Sequence, residues 1–262
     1  MLIKDKVVLV TGSAAGIGAE LALAMAARGA RALALADLDL AGAQVVASRV
    51  EKMGARAIAV QADVSVEADV RRVIDLAVGQ FGCVDICCSN AGVATSGGPE
   101  ASDNAWNATW AINVMSQVYA ARHLLPAMLE RGSGYFLNTC SAAGLLTSPG
   151  AAPYAVTKHG AVAFAEWLSI TYGGKGIGVS ALCPQAVRTP MLEKSISGGN
   201  KGSATLSASV IEPELVARYA VDGVESDTFL ILPHPEVADY VLRKATNLQR
   251  WIEGMRRVFA KG

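Results

Sequence analysis

A chain of 262 residues with 52% apolar and 18% charged side chains can bury a sizeable core, which excludes a disordered protein. Its 23 basic and 23 acidic residues cancel, leaving no electrostatic footprint for nucleic acid or an anionic membrane and mildly favouring a homo-oligomer. Apolar runs such as Ala32–Ala36 fall far short of the ~18–20 residues of a membrane span.

Met1–Lys6 has no secretory leader pattern. The five cysteines, Cys83, Cys87, Cys88, Cys140 and Cys183, form no C-x-x-C pair and have no histidine at metal-ligand spacing. They read as reduced, buried thiols. A cytoplasmic protein without a metal site is expected.

Strand and helix patterns alternate from the start. Val7–Val10 is a continuous apolar run of the kind buried on both faces of a parallel sheet. A helix over Gly16–Arg28, a strand Ala32–Ala36, a helix Leu40–Met53, a strand Ala57–Val60 and a helix Glu67–Phe81 follow. Glycines 29, 54 and 82 stop the three helices. Strand Val84–Cys88 leads to a glycine-containing loop, a long helix from Asp103 to Glu130 and strand Tyr135–Thr139. Helix Ala152–Tyr172 and strand Ile177–Leu182 come next. A Gly/Ser-rich segment at Lys194–Ser209 is read as mobile. A helix near Pro213–Asp222, a strand Thr228–Leu232 and a helix Pro235–Phe259 end the chain. This rhythm predicts an α/β fold, a doubly wound parallel sheet of Rossmann type in a single domain spanning 1–262. A segment at about 192–228 is expected to cover the substrate.

At the first strand-to-helix junction stands Thr11-Gly12-Ser13-Ala14-Ala15-Gly16-Ile17-Gly18. Glycines there let the backbone approach a pyrophosphate, and the helix start offers unpaired N–H groups to it. Gly12, Ser13, Gly16, Ile17 and Gly18 are therefore candidate cofactor contacts. Asp37, about twenty residues on and followed by Leu38, is placed to accept from a ribose diol and to repel a 2′-phosphate, which favours NAD. Asp39 is the better candidate to cap the helix at Leu40. Asp63 and Val64 either bracket an adenine or belong to the start of the next helix, where Asp63 or Ser65 could be the cap.

Tyr154-Ala155-Val156-Thr157-Lys158 sets a phenol and an ammonium four residues apart, on one helix face. A lysine cation favours the phenolate, which a base at neutral pH requires, because a free phenol titrates near ~10.

Together these residues resemble the short-chain dehydrogenase/reductase family from about Val7 to Met191. Residues 11–18 are similar to its T-G-x-x-x-G-x-G, and Ser89-Asn90-Ala91-Gly92 to its N-N-A-G. Asn113 within Trp110-Ala111-Ile112-Asn113-Val114 falls at its helix-borne asparagine, and Ser141 lies thirteen residues before Tyr154. Pro184–Thr189 is similar to its P-G-x-V-x-T. The resemblance implies an NAD(H)-dependent oxidoreductase that interconverts a secondary alcohol and a ketone. It makes Tyr154 the general acid/base and gives the substrate oxygen a donor in Ser141. Lys158 would hold the nicotinamide ribose, and Asn113 would anchor a relay water. Asn90, Ala91, Gly92, Pro184, Val187 and Thr189 would contact the cofactor, the last two through its carboxamide.

The alternative is a non-catalytic NAD-sensing or scaffold protein of the same fold. An extended epimerase-like member would need a larger C-terminal domain than the stretch after Met191 provides. Gln185 departs from the family's glycine, either narrowing the space beside the nicotinamide, reaching the substrate or turning to solvent. Trp106, Trp110, Tyr119, Phe164 and Trp167 are read as core or helix-packing residues on two helices that pair subunits in many relatives, as a homotetramer or dimer. Val93, Ala94, Ala143 and Leu145 beside the site, with Ile196, Leu206, Val210, Ile211, Val216 and Tyr219 in the covering segment, suggest a small, neutral, apolar substrate. His123, His159 and His234 are given no role.

Overall fold

In the computed structural model, residues 1–197 and 210–260 are described. The strands are β1 (Val7–Thr11), β2 (Ala32–Asp37), β3 (Arg56–Gln61), β4 (Ile86–Ser89), β5 (Gly134–Thr139), β6 (Ile177–Leu182) and β7 (Leu230–Ile231). They form one seven-stranded sheet in the order β3-β2-β1-β4-β5-β6-β7, and every pairing is parallel.

Helices α1 (Gly16–Ala27), α2 (Leu40–Lys52) and α3 (Glu67–Phe81) link the first four strands. The chain then runs through α4 (Asp103–Trp110), α5 (Ser116–Glu130), α6 (Ala143–Leu146) and α7 (Ala152–Tyr172). After β6 come α8 (Pro190–Ser197), α9 (Pro213–Glu225), α10 (Glu236–Thr246) and α11 (Leu248–Phe259).

Alternation along the strands makes two cores. Val7, Leu9, Phe136 and Val179 point to the face covered by α3, α5 and α7, where Ile74, Leu124 and Leu168 meet them. Val8, Val10, Leu33 and Leu137 point the other way, to Leu21, Val46 and Val221 of α1, α2 and α9. Successive side chains of a strand face opposite sides, so a fully apolar strand such as β1 requires helices on both. Arg28 of α1 is ion-paired with Asp222 and Glu225 of α9 at the rim of the second layer.

Strand order reverses between β1 and β4. Neighbouring crossovers diverge there and leave a crevice beyond the carboxyl ends of the strands, which is where the glycine turn after β1 lies. Among the described residues no helix is long and apolar enough to cross a membrane.

Several boundaries differ from the sequence pattern. The long helix after β4 is interrupted by a π turn, Ala111–Met115, which widens the coil around Asn113. The last helix is two: Asn247 takes an extended backbone and caps α11 through Arg250 N, a break that helical periodicity alone does not mark. The last strand shrinks to Leu230–Ile231. Cys83 lies outside the sheet and is half-buried, while the other four cysteines are buried, and all five are free. Of the segment read as mobile, residues 194–197 fall in α8; residues 198–209, Leu206 among them, and the side chain of Ile196 lie outside the described residues.

Candidate active site

The turn after β1 is built for close approach. Gly12 has φ +65, and a Cβ on it would stand 2.8 Å from the Ala91 Cα. A Cβ on Gly18 would collide with the Gly12 carbonyl and come within 2.5 Å of Asn90 Nδ2. Helix α1 then starts at Gly16 with no side-chain cap and no acidic residue in its first turn, so its positive end faces the crevice uncompensated. Ile17 half-buries itself against the core. Ser13 differs from expectation: it is fully buried and its hydroxyl donates to the Ala36 carbonyl at 3.2 Å. It braces the turn and presents no surface to a ligand.

Asp37 ends β2 beside this turn. Its carboxylate accepts from Ala14 N and Asp39 N, each at 2.9 Å, which fixes it at the crevice edge next to exposed Leu38. Asp39 caps α2 by accepting from Gly42 N.

Asp63 and Val64 stand just beyond the end of β3. Asp63 accepts from both Ser65 N and Ser65 Oγ, closing a local turn, and Val64 is buried among Val70 and Ile74. Neither Asp63 nor Ser65 caps α3, whose N-cap is Val66.

Across the strand reversal, Asn90 ties three strand ends together. Its Nδ2 donates to the Thr11 and Gly12 carbonyls, and its Oδ1 accepts from Thr139 Oγ1. Asn90 N and Ala91 N donate to Thr11 Oγ1. Gly92 follows, with Asn113 Oδ1 and Lys158 Nζ crowded against the place a Cβ would take, at 3.2 and 3.4 Å. Asn113 is fully buried. Its amide accepts from Val93 N and donates to Val93 O and Thr157 Oγ1, while its own carbonyl, freed by the π turn, accepts from Gln117 Nε2 at 3.2 Å.

The chemical groups converge from β5 and α7. Ser141 follows β5, and its hydroxyl accepts from Ala143 N at 3.0 Å. Tyr154 lies in the first turn of α7, where the Ser141 hydroxyl lies within its hydrogen-bonding reach. Lys158 is buried one turn on. Its ammonium stands 5.9 Å from the centre of the Tyr154 ring and donates to the Thr139 carbonyl at 2.9 Å. Gly144 lets α6 sit directly on this helix, since a Cβ there would collide with the Lys158 carbonyl.

Spacing alone suggests a phenol held acidic by its lysine; in the structure burial acts on both groups in the opposite sense. Desolvation pushes Tyr154 above the usual phenol range, and the Ser141 hydrogen bond pulls it back only in part. Desolvation also holds Lys158 below the usual ammonium range. Both charged forms lose water, and the ammonium satisfies itself on a backbone carbonyl instead of the phenol oxygen.

The segment after β6 closes the site. Pro184 O accepts from Ala142 N, Val187 bridges to Ile211, and the Thr189 methyl lies against Gly16. The Gln185 side chain is partnered rather than turned to solvent: its Nε2 donates to Glu236 Oε1 at 3.0 Å. In the covering segment Val216 is fully buried and Ile211 packs on the core, leaving Val210 and Tyr219 exposed. A separate cavity of about 310 Å³, lined by Tyr135, Gly178 and Asp227, opens at the opposite ends of β5 and β6.

Sequence reasoning did not find Thr11, Thr139, Thr157 or Gln117. The three threonines act through a main-chain carbonyl or a common hydroxyl, which carry no spacing signature. Gln117 Oε1 and Asn138 Nδ2 are buried without a protein partner.

A doubly wound sheet with a glycine-lined, uncapped helix start at its switch point, beside a Ser-Tyr-Lys cluster, defines a dinucleotide-binding oxidoreductase fold. The chain matches the family model described as short chain dehydrogenase over residues 6–199, and it belongs to that family. It is 33% identical over 244 residues to the 1-deoxy-11-beta-hydroxypentalenate dehydrogenase of Streptomyces exfoliatus, covering 90% of this chain and 86% of that one. It is 30% identical over 190 residues to the cyclohexanol dehydrogenase of Acinetobacter sp. (strain SE19), covering 72% and 75%. Among solved structures, a short chain dehydrogenase/reductase from Burkholderia phymatum in complex with NAD superposes with a TM-score of 0.87 at 28% identity, covering 95% of this chain and 96% of that chain. The protein is an oxidoreductase.

Proposed function

We propose that this enzyme interconverts a small, neutral, largely apolar secondary alcohol and its ketone, using NAD. The observation that carries the reading is the convergence of Ser141, Tyr154 and Lys158 beside Gly92. The residues that line the crevice suit a dinucleotide. The Gly12–Gly18 turn and uncapped α1 would hold its pyrophosphate, and Asp37 a ribose diol; the Pro184–Thr189 segment would take the carboxamide. When bound, NAD supplies a ring carbon that accepts or returns a hydride.

In oxidation Tyr154 takes the hydroxyl proton of the alcohol as the carbinol carbon loses hydride; in reduction it returns that proton to the carbonyl oxygen. Ser141 donates to the same oxygen and steadies its developing charge. Lys158, anchored on Thr139, supplies the positive charge that favours the phenolate and orients the ribose. Asn113 holds the Val93 backbone over Lys158, and its carbonyl stands at the end of the relay.

A named cyclohexanol dehydrogenase among the relatives and the apolar residues Val93, Ala94 and Leu145 support the substrate class. Five free thiols suit a reducing compartment such as the cytoplasm. The exposed apolar faces of α4 and α7 suit a homo-oligomer, a dimer or tetramer.

The test is a panel of secondary alcohols and ketones followed by NADH absorbance. Turnover is expected with the wild-type chain and loss of turnover with retained NAD binding in Tyr154→Phe. Silence across the panel with NAD still bound would favour a sensing role.

A further inference from the structure

The C-terminal pair α10–α11, with His234 just before it, is bound to the site at three points; two of them are made by Gln185, one through its side chain. The Gln185 N–H donates to Nδ1 of His234, which is 1% exposed, at 3.1 Å. The Gln185 side chain donates to Glu236 in the first turn of α10, where a carboxylate already complements the helix dipole. At the other end of α10, Lys244 Nζ donates to the Leu145 carbonyl of α6.

Between these ties Val237, Tyr240 and Val241 of α10 and Trp251 of α11 pack on Ala142, Leu145 and Leu146, the residues that follow Ser141. Pro184, next to Gln185, receives the Ala142 N–H. The strand ends that carry Ser141 and Gln185 therefore share one apolar wall, made by the C-terminal helices. A glycine at 185 could not reach Glu236, so this tie belongs to this chain's departure from the family pattern.

We propose that Gln185 is a positioning residue that clips α10 to the segment leaving β6 and so fixes the C-terminal helical pair as the specificity-determining wall of the substrate cleft. The substrate part rests on the proposed function; the clip does not. The bond is charge-assisted and partly buried, so its loss leaves a carboxylate without its donor. Tyr240 and Trp251, 6.4 Å apart between ring centres, give the wall its bulk, and they set an upper limit on alcohol size.

The experiment uses the full chain with NAD and three variants. Gln185→Gly removes the reach, Gln185→Glu opposes two carboxylates, and Gln185→Glu/Glu236→Gln exchanges donor and acceptor. In Gln185→Glu, amide hydrogen exchange in residues 236–246 is expected to quicken by about fivefold or more, and the exchanged pair restores the wild-type rate. With cyclohexanol and the bulkier cyclododecanol as probes, KM for cyclohexanol rises about tenfold in Gln185→Glu while kcat changes little and NAD affinity holds. Cyclododecanol gains relative to cyclohexanol in Gln185→Gly. Unchanged exchange in Gln185→Glu, or no rescue by the exchanged pair, would overturn the clip. A broken clip, shown by quickened exchange in Gln185→Glu, with unaltered alcohol preference would overturn the wall. Absence of turnover on both alcohols refutes the substrate reading and leaves the clip to be decided by exchange.

Discussion

The Lys158 ammonium donates to the Thr139 main-chain carbonyl at 2.9 Å, so the last residue of β5 fixes where the middle of α7 places its charge. Ser141 leaves the same strand two residues later. One strand end therefore sets both the hydroxyl and the cation around Tyr154, and a shift of β5 moves them together.

That coupling has a pH signature. In alcohol oxidation the reactive form of Tyr154 is the phenolate, so kcat/KM rises with pH through its titration. Burial raises that titration and the Ser141 hydrogen bond lowers it. Ser141→Ala removes the lowering contribution, and the rising limb moves to higher pH. Tyr154→Phe lowers kcat by about 10²–10⁴-fold where the wild type is active and removes the rising limb. A pH–rate profile of Ser141→Ala that superposes on the wild type would separate Ser141 from Tyr154.

The glycine turn gives a second prediction. In Gly18→Ala the new methyl meets the Gly12 carbonyl and Asn90 Nδ2, atoms held by the seam between β1 and β4. The turn has to open, costing about 1–3 kcal/mol, and NAD affinity falls with it. Gly79 of α3 has nothing within 4 Å of its added Cβ, and Gly79→Ala stabilises by about 0.5–1 kcal/mol. Urea unfolding and NAD titration of the pair check both signs.

How much of this was readable in the sequence follows from where each signal resides. Strands such as β1 and β2 were legible because burial on both faces demands an unbroken apolar run, and helix ends because Gly82 adopts a left-handed backbone that side chains avoid. Tyr154 and Lys158 were legible through helical spacing. The π turn at Asn113 was not, since the phase shift of one inserted residue is hidden in a helix that is apolar on more than one face. The roles of the Thr139 carbonyl and Thr11 hydroxyl come from chain segments far apart in sequence. Trp110 and Trp167 were read as core or helix-packing residues; they are 43% and 54% exposed and Trp110 packs on Gly160, because a helix with two apolar faces does not say which one the monomer covers. The Gln185–Glu236 bond joins residues 51 apart, and no local pattern encodes it.

In the proposed function Asp37 carries the cofactor choice. Its carboxylate is pinned by Ala14 N and Asp39 N, so it cannot swing away from a 2′-phosphate. Asp37→Ser keeps a small polar group and removes the repulsion. The NADP/NAD ratio of kcat/KM should rise about tenfold or more, equivalent to roughly 1.4 kcal/mol. An unchanged ratio would remove Asp37 from the ribose.

Tyr135, at the other end of β5, makes stability fall in alkali. It is buried with its hydroxyl against Ser180 Oγ at 2.8 Å, and burial pushes its pKa up to about 12. In the unfolded chain it titrates near ~10. The fold thus favours the neutral form: stability is intact below pH ~10 and declines as pH climbs toward about 12. Tyr135→Phe should show a shallower loss between pH 9 and pH 11 in urea unfolding than the wild type, because its other groups are unchanged. Parallel declines would refute the assignment.

The last prediction concerns assembly. On α7, Val156, Ala163, Trp167 and Ile170 share an exposed stripe, with Ile170 86% exposed. Gly160, on the same stripe, receives the Trp110 ring of α4 at 3.4 Å from its would-be Cβ, so the two helices form one apolar surface. Leaving that surface in water costs about 25 cal/mol per Å², and a second copy of the chain is the proposed cover. Light scattering should find a dimer or tetramer for the wild type. Ile170→Glu places a charge at the centre of the stripe, and burial of an unpaired carboxylate is costly enough to break the contact. The variant should sediment as a smaller species at the same concentration while its far-UV spectrum is retained. A wild-type monomer, or a variant that assembles as before, would place the interface elsewhere.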